Sequence, residues 1–452
     1  MLQLAAYANY FDFGLQTAVA RYLAGALERK DGQELDRLMS TATAILAAVG
    51  LLVAVGMGIL SWQLPHLFRT APVAIVGEIQ AGTLMLGLLA AAALPLSAFA
   101  GALAGMQRNE FLAATVGGSR LCGALAVVVA ARYTHSLLWL AVILGGFNLL
   151  GGVVQFLIAG RLLGSYRVKI SAFHREPVAE LLRYCSVLAI WSFGMLLISG
   201  LDVTIVGMYN FRNAGAYSIV STLITFFTGL SGAAFSAMLA PIAVMQAREE
   251  FGRIERLVLV TTRLGTYFNL AAVVATFLFG ETLVRIWVGS SYLSVTLPVL
   301  EILMVAQAVR LTGNALGIML VGTGNQKYGI LPNMVEAVSN LILSVAGVIW
   351  MGAAGVAWAT LIAAVIGVCV GIGTILPRVK VVQIAPRLFL EQGVLLPLLV
   401  FLPAVLWIAV RLIFREEMAL HAGLSGGMTA VVAVATLLLR RRGIGEARRQ
   451  NA

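Results

Sequence analysis

Long apolar stretches with few or no charged residues recur from one end of this 452-residue sequence to the other. A stretch of about 20 such residues is the length of an α-helix that spans a bilayer. With 60% hydrophobic residues and a mean hydropathy of +0.94, the chain has more apolar surface than one water-soluble core can bury. Closed β-barrels would show short alternating strands instead. The sequence therefore predicts an all-α polytopic membrane protein.

The apolar runs, taken between polar loops, predict thirteen transmembrane helices. They lie near residues 1–24, 40–61, 81–106, 112–131, 136–160, 181–208, 214–245, 256–280, 292–322, 329–350, 354–376, 393–413 and 422–439. Counting Lys and Arg in alternate loops gives 21 on one side of the membrane and six on the other. By the positive-inside rule the richer side is cytoplasmic, and it includes the basic C-terminal tail. These loops explain the net charge of +11 without a nucleic-acid partner.

Two pairs of similar segments indicate that the chain contains an internal repeat. Residues 249–257 (EEFGRIERL) resemble residues 30–38 (KDGQELDRL) at a separation of 219 positions. Residues 322–337 resemble residues 105–120 at a separation of 217 positions. The second copy holds six predicted helices and the first holds five, so the first copy lacks its opening helix. This difference predicts a truncated or misannotated start.

The repeat also predicts the domain organisation. An even number of helices in each copy gives both copies the same orientation in the membrane. We expect an N-lobe at residues 1–160, a cytoplasmic linker at 161–180, a C-lobe at 181–376, and a last region at 377–452 with two extra helices and the basic tail.

Sequence signals of catalysis are absent. The chain has no nucleotide-binding P-loop, no H-E-x-x-H zinc motif and no G-x-S-x-G nucleophile motif. Its four histidines are scattered without the spacing of metal ligands, and its three cysteines lie in apolar spans without C-x-x-C spacing. The loops on the outer side are short, which favours a transporter over a membrane-embedded glycan polymerase or ligase. We therefore expect no enzyme activity, no cofactor and no metal.

Charged residues inside the predicted spans are the candidate functional residues, because each costs a few kcal/mol at mid-membrane unless it faces protein or water. Arg120 and Arg310 lie too deep in their spans to reach an interface easily, and one belongs to each copy of the repeat. The planar fork of an arginine suits a phosphate, so we predict that both contact a substrate phosphate. The acidic residues are predicted counter-ions, coupling-ion sites or cavity charges: Asp12, Asp202, Glu301 and Glu336.

The same charges also have a structural interpretation. Buried ion pairs that only set the register of the helices would explain any one of them. For Arg21 and Arg263, which lie near the predicted cytoplasmic face, extension of the side chain to the interface is the better explanation. Glycines four positions apart, at residues 101 and 105 and at residues 367 and 371, predict close packing of helices.

Three segments resemble bacterial polysaccharide flippases of the multidrug/oligosaccharidyl-lipid/polysaccharide (MOP) exporter superfamily. Residues 202–207 (DVTIVG) and 215–217 (GAY) resemble the seventh helix of these flippases and the sequence after it, and residues 10–42 resemble their second helix and following loop. The resemblance covers essentially the whole chain, except that the first helix of the family is lacking. It implies two lobes of six helices around a cavity that opens in turn to each side.

The resemblance also implies a function. We expect a flippase that moves an undecaprenyl-pyrophosphate-linked oligosaccharide across a bacterial cytoplasmic (inner) membrane for O-antigen or another surface polysaccharide. The expected coupling ion is H⁺ or Na⁺, and the expected partners are membrane lipid, a glycan polymerase and a regulator of glycan chain length. The transporter itself is expected to be a monomer. Two alternatives stay open: a cation-coupled multidrug antiporter of the same superfamily, and a scaffold for glycan assembly that transports nothing. Two arginines in one cavity would repel cationic drugs.

Overall fold

The computed structural model describes residues 14–29, 31–69, 72–134, 136–164, 190, 193–194, 196–236, 238–379 and 383–406. Across these residues the chain forms α-helices joined by short turns, with brief 3-10 and π segments and no β-strand. Nine helices in this part of the chain are long and apolar enough to cross a membrane. The prediction of an all-α polytopic membrane protein is confirmed.

The nine helices coincide with nine of the thirteen predicted spans. The other four predicted spans, at residues 1–24, 181–208, 393–413 and 422–439, lie wholly or partly outside the described residues. The count of thirteen therefore stays a prediction.

Contacts within the chain divide it into two compact units, Met1–Phe211 and Arg212–Ala452. Most of the predicted linker at residues 161–180 lies outside the described residues, so the predicted lobe boundaries remain predictions. The helices of the N-terminal unit are α1 (Leu15–Arg29), α2 (Gly32–Leu67), α3 (Val73–Ala93), α4 (Ser97–Gly105), α5 (Asn109–Ala130), α6 (Leu137–Leu162) and, after a π segment at Leu196–Gly200, α7 (Asp202–Tyr209).

A core between α1, α2 and α4 holds the first unit together. Leu23, Met39, Phe99 and Leu103 are fully or almost fully buried there. The long helix α2 begins where the Asp31 carboxylate accepts hydrogen bonds from two backbone N–H groups of the first turn, at 2.9 and 3.0 Å. Such a cap satisfies donors that have no partner within the helix.

The second unit begins with α8 (Phe211–Ser236), whose first residue lies at the boundary. Its other helices are α9 (Leu239–Ala247), α10 (Phe251–Trp287), α11 (Leu293–Thr312), α12 (Asn314–Gly322), α13 (Ile330–Met351), α14 (Ala353–Arg378), α15 (Pro386–Phe389) and α16 (Leu396–Val400). Short 3-10 segments at Ser290–Tyr292 and Gln326–Gly329 precede α11 and α13, and a π segment at Leu390–Leu395 joins α15 to α16. Ile242, Ile254, Met319 and Phe389 lie in its largest core.

The repeat seen in the sequence recurs in the lengths of the helices. Helix α2 has 36 residues and α10 has 37, at the predicted offset of 219 positions. Helices α5 and α13 have 22 residues each, and α6 and α14 have 26 each. In both units a long helix is interrupted and continues as a nine-residue helix, α4 or α12.

The turns after α4 and α12 have the same backbone conformation. The left-handed residue is Gln107 after α4 (φ 59°) and Gly324 after α12 (φ 71°), 217 positions apart. The next amide donates back across the helix end in both copies, from Arg108 to the Leu103 carbonyl (2.9 Å) and from Asn325 to the Leu320 carbonyl (2.7 Å). Only glycine adopts this conformation without a steric penalty, so the first copy is strained where the second is not.

Gln107→Gly is therefore expected to raise the free energy of unfolding by about 1 kcal/mol. A left-handed conformation costs an L-residue about 1–2 kcal/mol, and the greater conformational entropy of glycine in the unfolded chain offsets part of the gain. Thermal unfolding of the purified protein in detergent measures the change. The matched variant Gly324→Gln should lower stability by a similar amount. An unchanged midpoint in both variants would contradict the strain.

The first predicted glycine pair packs as expected. A Cβ on Gly101 would lie 2.5 Å from the Gln16 carbonyl oxygen, and one on Gly105 would lie 2.6 Å from the Ala20 carbonyl oxygen. Helices α4 and α1 therefore pack backbone against backbone, which is what small residues at this spacing permit.

Candidate functional site

An ion pair inside the C-terminal unit joins two of the predicted charged residues. Arg310 lies in the last turn of α11, three residues before the interruption at Gly313, and Glu336 lies in the second turn of α13. The Arg310 Nε donates to Glu336 Oε1 at 2.6 Å, and Arg310 Nη1 donates to Gln307 Oε1 at 2.9 Å. The side chains are 20% and 10% exposed. The pair is therefore short, largely buried and of the charge-assisted kind.

One donor of this arginine remains available. Arg310 Nη2 is buried and has no hydrogen-bond partner within the described part of the chain. A buried donor without a partner costs roughly 1–3 kcal/mol, so an incoming acceptor, from water or from a ligand, is favoured there.

Helix α14 makes room for the carboxylate. A Cβ on Gly367 would lie 2.7 Å from Glu336 Oε2, whereas one on Gly371 would meet nothing closer than 3.7 Å, from Pro332. The two glycines of the second predicted pair are therefore not equivalent. Only Gly367 is needed to leave space for the Glu336 side chain. Gly367 belongs to the site as well as to the helix packing.

Glu336 is part of a polar row on the packed face of α13. Asn333, Asn340 and Ser344 lie at helical spacing on the same side and are 8% exposed or less. Residues three and four positions apart share one face of a helix, so the row follows α13 through the apolar interior of the unit. Polar side chains in such a place are costly unless they are hydrogen-bonded or in contact with water.

Glu301 and Asp202 are also buried, but the ion pair does not include them. Glu301 lies nine positions before Arg310 on α11, which places the two side chains about half a turn out of phase, on opposite faces of the helix. Asp202 is the first residue of α7, in the other unit, and is 6% exposed. Asp12 lies outside the described residues.

Arg120 has a different environment from Arg310. It lies at the middle of α5, about 16 Å from each end of the helix, and its side chain is exposed. Within the described residues it has no ion-pair or hydrogen-bond partner. A guanidinium at this depth cannot remain in contact with lipid without a large cost, so it needs water or an anion.

The two arginines are not equivalent positions of the repeat. By the 217-residue offset Arg120 corresponds to Ala337, and Arg310 corresponds to Ala93. Ser119 takes the place of Glu336, and it contacts α6 as Glu336 contacts α14: a Cβ on Gly151 would lie 2.9 Å from Ser119 Oγ. The first copy therefore has the same helix packing without the ion pair.

Sequence reasoning missed two glutamines that make hydrogen bonds between side chains in these helices, and one of them contacts Arg310. Gln307 precedes Arg310 by three positions on α11, a spacing at which side chains on a helix touch. In the first unit, Gln155 Nε2 donates to Thr115 Oγ1 at 3.0 Å across α5 and α6. The helical spacing would have indicated Gln307, whereas nothing in the sequence pairs Gln155 with Thr115.

Solved structures with the same fold are membrane transporters. A lipid II flippase MurJ in an inward closed conformation is 15% identical, with a TM-score of 0.66, over 98% of this chain and 93% of that one. An inward-facing multidrug resistance MATE family transporter of the MOP superfamily is 16% identical, with a TM-score of 0.65, over 81% and 86%. A MOP superfamily transporter from Pyrococcus furiosus is also 16% identical, with a TM-score of 0.58, over 81% and 83%. These likenesses show the fold.

The family is shown by the sequence itself. No curated protein matches the chain. The family model described as "Polysaccharide biosynthesis protein" matches residues 9–297, which is more than half of the 452 residues. With its helices in the arrangement of the MOP superfamily transporters, the chain belongs to the polysaccharide biosynthesis protein family of membrane transporters.

Proposed function

We propose that this protein flips a lipid-linked oligosaccharide, carried on undecaprenyl pyrophosphate, from the inner to the outer leaflet of a bacterial cytoplasmic membrane. It moves the molecule by alternating access and neither makes nor breaks a covalent bond. The observation that carries the proposal is Arg120, a charged side chain at mid-helix that is exposed and has no partner within the described residues. In a transporter of the polysaccharide biosynthesis family, a pyrophosphate is the anion that suits it.

Arg310 is proposed as the second phosphate contact. Its free Nη2 can donate to a phosphate oxygen without disturbing the bond from Nε to Glu336. A full bidentate contact would require Arg310 to leave that carboxylate. The contact through Nη2 alone leaves the ion pair with Glu336 intact, whereas the bidentate contact breaks it. Only the bidentate contact therefore links substrate binding to the charge of Glu336.

This competition suggests how an ion gradient could drive the flipping. When Arg310 turns to the phosphate, Glu336 loses its counter-ion and takes up H⁺ or Na⁺ instead. Coupling then follows, because substrate and ion bind the inward and outward states with different affinities. Asp202 and Glu301, both buried, and Asp12 are proposed as further cavity charges or ion sites. A polymerase and a chain-length regulator would use the flipped product.

The experiment uses a strain that lacks this gene and carries Arg120→Gln on a plasmid. We expect the lipid-linked oligosaccharide to accumulate on the cytoplasmic side and the rate of flipping to fall about 10- to 100-fold, since a hydrogen bond to a charged group contributes about 1.5–3 kcal/mol. Surface glycan and the lipid-linked intermediate are measured together, and the amount of protein in the membrane is checked by blotting.

Arg132→Gln is the matched control, because Arg132 is an exposed arginine just after the end of the same helix. It should flip at the normal rate. Normal flipping by a properly inserted Arg120→Gln protein would contradict the proposed contact between Arg120 and the pyrophosphate. Unchanged surface glycan in the deletion strain, together with higher sensitivity to cationic drugs, would show that the protein is a multidrug antiporter and not a flippase. A transport-dead variant that still supports surface glycan would indicate a scaffold.

A further inference from the structure

We propose that a recess on the C-terminal unit binds the phosphate group of an anionic phospholipid at the cytoplasmic surface of the membrane. The recess has a volume of about 350 Å³ and lies between the first turns of α10 and the π segment at Leu390–Leu395. Its charged and polar lining consists of Glu255, Arg256, Arg263 and Gln392. Its volume lies in the range of small-molecule sites. The inference does not depend on what the protein transports.

Helix geometry places this recess at the depth of lipid headgroups. Between Arg263 and Glu281 helix α10 has 17 uncharged residues in a row, which is a length of about 26 Å and close to the thickness of the hydrocarbon core. Arg263 therefore lies at one boundary of the hydrocarbon. Arg256 is seven residues nearer the end of the helix, about 10 Å further out, on the same face. The two guanidinium groups bracket the headgroup layer.

The side of the membrane follows from the loop charges. The loop at residues 246–256 belongs to the set that carries 21 of the Lys and Arg residues, which the positive-inside rule assigns to the cytoplasm. The cytoplasmic leaflet is also where anionic lipids attract basic groups.

The charges of the recess are free to bind a ligand. Within the described residues, Arg256, Arg263 and Glu255 have no ion-pair or hydrogen-bond partner. Two basic residues near them are neutralised, since Arg253 pairs with Glu250 (2.8 Å) and Arg387 pairs with Glu391 (2.7 Å). Two arginines and one glutamate leave a net charge of +1, which matches the single negative charge of a phosphodiester.

The pair of arginines in the recess has no equivalent pair in the first copy of the repeat. By the 219-residue offset Arg256 corresponds to Arg37 on α2, but Arg263 corresponds to Ala44. The wall that carries Gln392 comes from the segment after α14. This wall lies close to α10, because a Cβ on Gly393 would be 2.9 Å from Thr262 Cγ2. A single arginine that reaches the interface needs no such wall.

The test is lipid binding by the purified full-length protein, measured by native mass spectrometry with phosphatidylglycerol or with zwitterionic phosphatidylcholine. Arg256→Gln combined with Arg263→Gln should weaken phosphatidylglycerol binding at least tenfold and leave phosphatidylcholine binding unchanged. Glu255→Gln should strengthen phosphatidylglycerol binding, because it removes the repelling carboxylate. These opposite signs distinguish a site from general damage to the fold.

Arg248→Gln combined with Arg253→Gln is the matched control, since it removes two positive charges from the same region outside the recess. It should change phosphatidylglycerol binding less than twofold. An equal loss in the control and in the double recess variant would overturn the proposal in favour of diffuse surface charge. Inorganic phosphate is the third probe. If it binds alone and displaces phosphatidylglycerol, the recess is a site for soluble phosphate and the lipid assignment is wrong.

Discussion

Glu336→Leu is expected to lower the free energy of unfolding by about 3–5 kcal/mol, because it leaves the largely buried guanidinium of Arg310 without its counter-ion. The leucine side chain has a similar volume, so the loss comes from the unpaired charge rather than from a cavity. Chemical unfolding of the purified protein in detergent, followed by helical circular dichroism, measures the effect. Part of the variant is expected to be degraded in cells, since such a loss is a large share of total stability.

The double variant Arg310→Met with Glu336→Leu separates charge from packing. Replacing both members of a buried ion pair by apolar residues is often neutral or stabilising, so this protein should unfold near the wild-type midpoint. A double variant as unstable as Glu336→Leu alone would show that the pair matters for its shape and not for its charge. The stable double variant also serves the transport assay, where the proposed phosphate contact predicts that it flips poorly.

Gly355→Ala is expected to cost about 3 kcal/mol, the upper part of the usual range for overpacking. Helices α13 and α14 form a tight hairpin in which Gly347 and Gly355 face each other, and a Cβ on Gly355 would overlap the backbone carbonyl of Gly347. The backbone cannot rotate away as a side chain can, so the helices must separate along the polar row that contains Glu336. Chemical unfolding in detergent measures the loss.

Gly373→Ala is the control in the same helix. A Cβ there would meet nothing within 4 Å, and alanine favours a helix over glycine by up to about 1 kcal/mol. This variant should be as stable as the wild type or more stable. If Gly355→Ala were equally stable, the close crossing of α13 and α14 would not exist in the folded protein.

Local properties of the sequence predicted the helices well. Hydrophobicity over about 20 residues is enough to recognise a membrane-spanning helix, and the nine long helices of the described residues agree with it. The repeat was likewise visible from residues 105–120 and 322–337, and the helix lengths follow it. The interruptions before α4 and α12 were not predicted, although Pro95 lies in the first of them.

The environment of each charged residue was less predictable. The sequence assigned the same role to Arg120 and Arg310, as two arginines deep in apolar spans, one in each copy of the repeat. The structure pairs Arg310 with Glu336, so for this arginine the register-setting ion pair and the phosphate contact compete for the same group. Arg120 has no such competitor within the described residues. The substrate-binding and coupling roles of all six charged residues stay predictions for the transport assay.

The sequence by itself determined the fold class, the repeat and the depth of each charge in its span, because these depend on the order of residues along one helix. Only the tertiary structure decided which charges meet. Arg310 and Glu336 are 26 positions apart on different helices, and Gly367 on a third helix provides the space for the carboxylate. A pairing of this kind depends on which faces of three helices pack together. The spacing of these residues along the chain does not determine which helix faces pack together.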